Sequence, residues 1–506
     1  MNEKASNLKN FFQSFLSERK KYILIYLVCL LFFTFTFFSV DDYLHPKIEF
    51  LTLFGLFIAG MIVLSYSFKN RCETHKIAFV IIILFGLFLV FLSPTLGGHD
   101  ELEHFARAEL TSTGVIFPEY IDGEGYSISN YISNFYGDDA KTFANTNHYN
   151  EKIDYSKGMM SSVFSQNPFY GYIVQAIGIL IAKLFDLGII WTVWLGRLAN
   201  LIFYGVIVSL AIKKAPIYKV PLLVLSCMPI CIFQAASISI DAFIYAFGIL
   251  AIGYFIYMYK SKEKVKRKDL LIFFISCLLI GIIKIPFILL VFLILLIPKS
   301  KFNSINDYNL SRIGIIIAIL ITIMYTLIFS MGQLDKSSRA IYYIENNVSA
   351  SGQVKFMLNN PLEGIVPFLQ IANSIPDLFI SLNLLHFFQI PNVQIFNLLF
   401  FTYFVIFSIF YPNKLNLSNK KRIIPLGIFI LVYFGTMFIQ YLTWTPVGHP
   451  QILGVSARYF IPIIPLLPMI LNINKIENSK NLDLIILSMT IAFLAGFVLL
   501  IVAPLY

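Results

Sequence analysis

The chain is short of charge. Of its 506 residues, 13% are Asp, Glu, Lys or Arg and 58% are hydrophobic. Soluble domains carry about 25% charged residues, so this chain cannot cover the surface of a soluble enzyme. A disordered chain is excluded on the same ground. Cysteine is also scarce: Cys29, Cys72, Cys227, Cys231 and Cys277. Cys227 and Cys231 stand one helical turn apart with no Cys or His at metal-ligand spacing. No disulfide framework or thiolate metal site is implied. No internal repeat, low-complexity tract or compact Asp-x-Asp in the long polar segment is present, and neither a metal site nor a cofactor is predicted.

What is abundant is apolar and aromatic sequence. Mean hydropathy is +0.76, with 51 Phe and 28 Tyr. The fold class that follows is an all-α polytopic membrane bundle of about 12–15 apolar segments. The basic stretch from Lys4 to Lys21 precedes the apolar run Tyr22–Val40. That run reads as a first span starting in the cytoplasm, with no small-residue cleavage site after it.

Charge is distributed unevenly. Thr95–Phe169 carries eleven acids and four bases, a net −7, so the remainder of the +10 chain carries +17. The segment Lys260–Asp269 (KSKEKVKRKD) is the strongest cytoplasmic signal. The net positive charge thus reflects cytoplasmic loops rather than nucleic acid binding, and the acidic loop is expected outside. Three regions are expected: a tail with two spans at 1–76, a module at 77–298 holding the loop 95–169, and a C-terminal region at 299–506 with a second outer loop at 332–361. Loop parity does not close if every apolar segment crosses. Tyr170–Phe185, short and carrying Gln175 and Lys183, is the best candidate for a non-spanning segment. Leu270–Pro298 reads as either one crossing or a hairpin, and Gly364–Leu385 is ambiguous.

Four constellations could carry chemistry. In Gly97-Gly98-His99-Asp100-Glu101-Leu102-Glu103-His104-Phe105-Ala106-Arg107-Ala108, helical spacing puts Asp100, Glu103, His104 and Arg107 on one face. Asp100 or Glu101 would serve as general base; Asp100 with Glu103 also resembles a helix capping box. Asp241 lies at the mouth of a helix pair, as a functional acid or a turn former. Lys284, in Gly-Ile-Ile-Lys-Ile-Pro, is costly inside apolar sequence. It would pair with an anion at the tip of a hairpin, or snorkel. Arg458-Tyr459-Phe460-Ile461-Pro462 places an arginine on the outer side, suited to phosphate or to interfacial anchoring.

In this order, these motifs resemble a family of bacterial predicted multi-pass membrane proteins of unknown function. The matching residues are Asp100-Glu101, His104-Phe105, Arg107-Ala108, Ser239-Ile240-Asp241, Lys284-Ile285-Pro286, Gly352-Gln353 through Asn360-Pro361, and Arg458-Tyr459-Phe460-Ile461-Pro462. Leu102-Glu103 and Ser456-Ala457 depart from its pattern. That family is similar in turn to the GT-C superfamily of membrane glycosyltransferases. The resemblance implies a polyprenyl-phosphate sugar donor, a glycan acceptor and an inverting transfer on the extracytoplasmic face. Asp100 or Glu101 would be catalytic; His104, Arg107, Asp241, Lys284, Arg458 and Tyr459 would bind substrate. Alternatives are an O-antigen-polymerase-like enzyme, a transporter or flippase of lipid-linked saccharide, and a structural partner of an envelope assembly.

Overall fold

A computed structural model describes residues 2–38, 45–70, 73–121, 124–137, 141–160, 167–330, 345–369, 393–412, 414–471 and 480–506. Cys72 and most of the ambiguous segment Gly364–Leu385, including Asn373 and Asp377, lie outside these residues. The chain is an all-α polytopic membrane protein. Among the described residues, nine helices are long and apolar enough to cross a bilayer. They include α1 (Asn2–Phe37), α2 (Pro46–Lys69), α3 (Thr74–Leu92), α6 (Ile190–Lys214), α9 (Asp241–Lys260) and α11 (Ile305–Tyr325, extended through Phe329). The others are Val393–Phe410, Asn419–Thr443 and Asn481–Val502.

Burial separates inner from outer helices. Within their most apolar windows, α9 and Asn481–Val502 bury 78% and 89%, whereas Ile305–Phe329 buries only 17%. The first two are the centre of the bundle. The last exposes Ile313, Ile316, Ile317 and Leu320, a stripe for lipid rather than for protein.

Other apolar segments pass between the ends of the bundle without being long α-helices. Helices α7 (Lys219–Ser226) and α8 (Pro229–Ala235) are one pass broken before Pro229, where proline removes an N–H. Helix α10 (Arg267–Ile283) stops at Lys284, whose backbone is extended, and the chain returns through the 3₁₀ run Ile285–Leu296. Leu270–Pro298 is therefore a hairpin with Lys284 at its tip. At its open end, Lys301 Nζ donates to the Ser261 carbonyl and Val265 bridges to Phe302. A second 3₁₀ run, Ala457–Leu466, leads into Leu467–Leu471. A 3₁₀ helix rises about 2.0 Å per residue, so 12 residues reach about 24 Å and approach the thickness of the hydrocarbon layer. Among the described residues, these segments bring the number of apolar segments within the expected 12–15.

At the segment Tyr170–Phe185 the chain forms α5 (Ile173–Leu184). Its 12 residues span about 18 Å, or about 26 Å with the 3₁₀ turn Phe169–Tyr172 that runs into it. It lies beside α4 (Glu101–Ser112): His104 meets Tyr172 before its start, and Glu109 meets Lys183 at its end. Both ends of α5 thus lie against α4. Ile173, Ile177, Leu180, Ile181 and Leu184 are exposed along α5 and form an apolar stripe suited to lipid.

The acidic loop is built on α4. Its three-stranded antiparallel sheet comprises Tyr120–Ile121, Gly125–Ser129 and Lys157–Met160, with Gly125–Ser129 in the centre. Glu109, 1% exposed, accepts from Ser129 Oγ, Tyr131 Oη (2.8 Å) and Lys183 Nζ. That one carboxylate fastens the sheet to α4 and α5.

Helices α5 and α6 approach closely at Gly178. A Cβ there would sit 2.2 Å from the Leu195 carbonyl oxygen, a backbone atom that cannot swing aside. Gly178→Val is expected to force the two helices apart at a cost of about 1–3 kcal/mol or more. The check is thermal unfolding of the detergent-purified protein; an unchanged melting temperature would contradict this packing.

Candidate functional site

The chain leaves α3 through Ser93–Gly98 and enters α4 at Asp100. This connection is held by an ion pair removed from water. Glu101 and Arg197 of α6 are both 0% exposed in their side chains. Arg197 donates Nε and Nη2 to the two Glu101 oxygens, both at 2.7 Å. Its remaining donors reach the carbonyls of Val90, Ser93 and Pro94. Glu101 also accepts from the Gly98 N–H (2.9 Å) and the Ile238 N–H (2.8 Å). One buried pair therefore ties α3, α4, α6 and the α8–α9 connection together.

This corrects the reading of Glu101 as a general base. Both its oxygens are occupied by fixed donors, out of reach of an acceptor. The capping reading of Asp100 is also overturned. Asp100 makes no side-chain cap bond, and its backbone is left-handed, with φ 58° and ψ 20°. Asp is among the few non-glycine residues that visit this region with any frequency. The conformation frees the carboxylate from the helix end.

That carboxylate turns to Arg458. Arg458 Nη2 donates to Asp100 Oδ2, and Nη1 donates to the His99 carbonyl at 3.2 Å. Arg458 Nε lies 3.4 Å from Asp241 Oδ2, and Lys284 Nζ lies 3.1 Å from Asp241 Oδ1. Lys284 Nζ also stands 4.0 Å from the centre of the Tyr459 ring, within cation–π range. Four residues from four segments thus form an alternating row: Asp100, Arg458, Asp241, Lys284. Arg458 and Asp241 are buried, at 5% and 3%, while Asp100 and Lys284 retain 31% and 28% exposure. The middle of the row is sealed and its ends are open.

Each member is placed by a local cause. Asp241 opens α9, where the helix dipole favours a carboxylate. Its N–H donates to Ser239 Oγ at 3.1 Å. The Ser237–Ile240 turn is set by Asn200 of α6, whose Nδ2 reaches the carbonyls of Gln234, Ser237 and Ser239. Lys284 is presented by the hairpin tip, so the snorkelling reading gives way to a specific pair. Arg458 lies in the first turn of the second 3₁₀ run, and Tyr245 Oη donates to its carbonyl at 3.1 Å. Before it, Gly454 has φ +73°, and a Cβ there would sit 2.3 Å from the Trp444 ring.

His104 and Arg107 lie behind the row. Asn167 Nδ2 donates to Tyr172 Oη at 2.9 Å, and Tyr172 Oη meets His104 Nδ1 at 2.6 Å. With Asn167 as a donor, the tyrosine proton goes to Nδ1, and the network assigns the His104 proton to Nε2. Arg107 is fully buried and donates to Thr111 and to the carbonyls of Asn167, Val115 and Ile116. It holds Asn167 by its carbonyl. The shared face of Asp100, Glu103, His104 and Arg107 therefore does not form one site, and substrate binding by Arg107 is replaced by this supporting role.

Electrostatics follow the geometry. Burial favours the neutral acid at Asp100, but Arg458, with His99 and His104, outweighs it and holds the carboxyl below its ordinary range. Burial pushes the His104 imidazole down to about 4, against the pull of Asp100 and Asp241. At neutral pH the row therefore stands beside a neutral histidine. Among the described residues, no group of three or more His, Cys, Asp or Glu is arranged to hold a metal ion.

Residues 83–467 match a family model described as "Predicted membrane protein (DUF2142)". The chain belongs to this family. The match takes in every member of the row; α1, α2 and the helix Asn481–Val502 lie outside it. No curated protein and no solved structure matches the chain. Sequence reasoning passed over Arg197, Asn167 and Tyr172. Arg197 had a signal, a lone charge within the apolar run Trp191–Ile212; Asn167 and Tyr172 had none.

Two predictions follow from this arrangement. Glu101→Gln leaves Arg197 buried without its charge partner and is expected to cost about 3–5 kcal/mol, read as a fall in melting temperature and folded yield. For His104, the folded pKa of about 4 lies below the ordinary 6.5. Between those values the unfolded chain binds the extra proton, so stability is full above about pH 6.5 and falls as pH drops towards 4. The loss is on the order of 3 kcal/mol, and His104→Gln should flatten that limb. An unchanged slope in melting temperature against pH would remove His104 as its source.

Proposed function

We propose that the chain is a GT-C-like integral-membrane glycosyltransferase. It would move a sugar from a polyprenyl-phosphate donor to a cell-surface polysaccharide or lipid-linked glycan on the extracytoplasmic face. The observation that carries this reading is the convergence of Asp100, Arg458, Asp241 and Lys284 at one end of the bundle, where lipid headgroups lie.

The row suggests how a donor would activate the site. At rest Arg458 holds Asp100 as a weak base. A donor phosphate arriving at Lys284 and Arg458 competes for those cations and loosens their hold on Asp100. Asp100 then becomes basic enough to take the acceptor proton. The acceptor oxygen attacks the anomeric carbon, the bond from that carbon to the phosphate oxygen breaks, and the lipid phosphate leaves with the electron pair. Lys284 and Arg458 stabilise the charge that develops on it. Asp241 keeps the two cations in place, and the Tyr459 ring backs Lys284.

An O-antigen-polymerase-like reaction would use the same row with a larger donor. A transporter of lipid-linked saccharide is less well supported, because transporter sites lie near the bilayer midplane and this row lies at the helix ends.

The test is glycan and lipid-linked saccharide analysis of cells expressing wild type, Asp100→Asn or Lys284→Met. Asp100→Asn is expected to lower transfer by about 10²–10⁴-fold with membrane expression unchanged. Lys284→Met is expected to raise the donor concentration needed. Full transfer by Asp100→Asn would remove the general-base role, and a donor response unchanged by Lys284→Met would remove phosphate binding there.

A further inference from the structure

The opposite end of the bundle carries a second concentration of charge. Helix α9 has 20 residues, so Lys260 at its end lies about 30 Å from Asp241 at its start. The segment 260–268 holds six bases and one acid, and Lys299, Lys301, Lys420, Lys421 and Arg422 join it from two other segments. Much of this charge is exposed, as the general excess of cytoplasmic lysine would give.

Three lysines do not fit that explanation. Lys260, Lys301 and Lys421 are half-buried. Lys260 Nζ and Lys421 Nζ stand 5.6 and 5.4 Å from the centre of the same Tyr259 ring, so the two ammonium groups lie within about 11 Å of each other. Lys301 is held beside them through the Ser261 carbonyl. The neighbouring acids are committed elsewhere: Glu263 to Lys266, Asp269 to Lys214 and Asp307 to Arg267. Among the described residues, no carboxylate forms an ion pair with any of the three.

We propose that Lys260 and Lys421, gathered around Tyr259, with Lys301 beside them at the Ser261 carbonyl, bind the phosphate headgroup of an anionic lipid. Partly desolvated like charges repel unless an anion joins them, and a phosphate diester supplies one negative charge with several acceptor oxygens. A lipid fits better than a free anion because Lys260 and Lys421 sit at the ends of α9 and Asn419–Thr443, both long and apolar enough to span. Headgroups lie at that depth, and basic pockets between helices favour them. The Tyr259 ring is the kind of residue that populates this interface.

The full chain is reconstituted in nanodiscs of phosphatidylcholine, with or without phosphatidylglycerol, and its melting temperature is measured. Phosphatidylglycerol is expected to raise it by several degrees in the wild type and to have little effect in Lys260→Gln/Lys421→Gln. The exposed pair Lys262→Gln/Lys268→Gln should keep the response. Native mass spectrometry should find phosphatidylglycerol retained by wild type and lost from the first variant, a readout independent of stability. Equal loss of response in both variants would overturn the site in favour of diffuse attraction. The same rise from inorganic phosphate in phosphatidylcholine discs, without a further rise from phosphatidylglycerol, would overturn the lipid assignment.

Discussion

The geometry of the candidate site rests on one buried ion pair. Glu101 and Arg197 are both removed from water, and a pair in that state repays its desolvation only when its donors and acceptors are satisfied. Here Arg197 takes both carboxylate oxygens and three carbonyls, and Glu101 adds two backbone N–H groups. Glu101 immediately follows Asp100, and the Ile238 N–H belongs to the turn that leads to Asp241. By fixing both neighbours, the pair holds the two carboxylates that flank Arg458. Glu101 thereby acts on the site by positioning it.

The row itself is a balanced system. Asp100 and Arg458, Arg458 and Asp241, and Asp241 and Lys284 each neutralise the other, so no net charge is buried. Such a row is stable at rest but can be rearranged by an arriving anion, because its cations would then have a choice of partners. The two open ends, Asp100 and Lys284, are the places where such an exchange can begin. His104 adds a neutral imidazole whose proton is fixed by Tyr172 and Asn167, without changing the charge count.

The sequence revealed the members of the row because charge is rare in this chain. Lys284 in Gly-Ile-Ile-Lys-Ile-Pro and Arg458 before Tyr-Phe-Ile-Pro each stood out against apolar surroundings, as did Asp241. The membrane fold was legible for the same reason, and so was the shortness of α5, since Gln175 and Lys183 interrupt a short apolar run. Glu101 was misread because adjacent carboxylates look alike in sequence. Which one is buried depends on Arg197, 96 residues away. Helical spacing grouped Arg107 with Asp100, but it could not show that the Arg107 guanidinium would turn to the Asn167, Val115 and Ile116 carbonyls. Asn167 and Tyr172 are ordinary residues until the fold brings them to His104.

The two cations of the row share a backbone device that explains their common Ile-Pro context. Lys284 immediately precedes a 3₁₀ run containing Pro286, and Arg458 lies within the first turn of one containing Pro462 and Pro465. Proline cannot donate an amide and disfavours the α conformation in the residue before it, so neither segment continues smoothly from an α-helix. A 3₁₀ pass gains length from fewer residues, at the expense of poorer hydrogen-bond geometry. That expense is tolerable only where neighbouring helices pack against the run. Pro462 lies against Gly248 of the central helix α9, and Pro286 lies against Gly435 of Asn419–Thr443. The glycines let the runs approach, the runs set where the cations emerge, and both cations meet at Asp241, the first residue of α9.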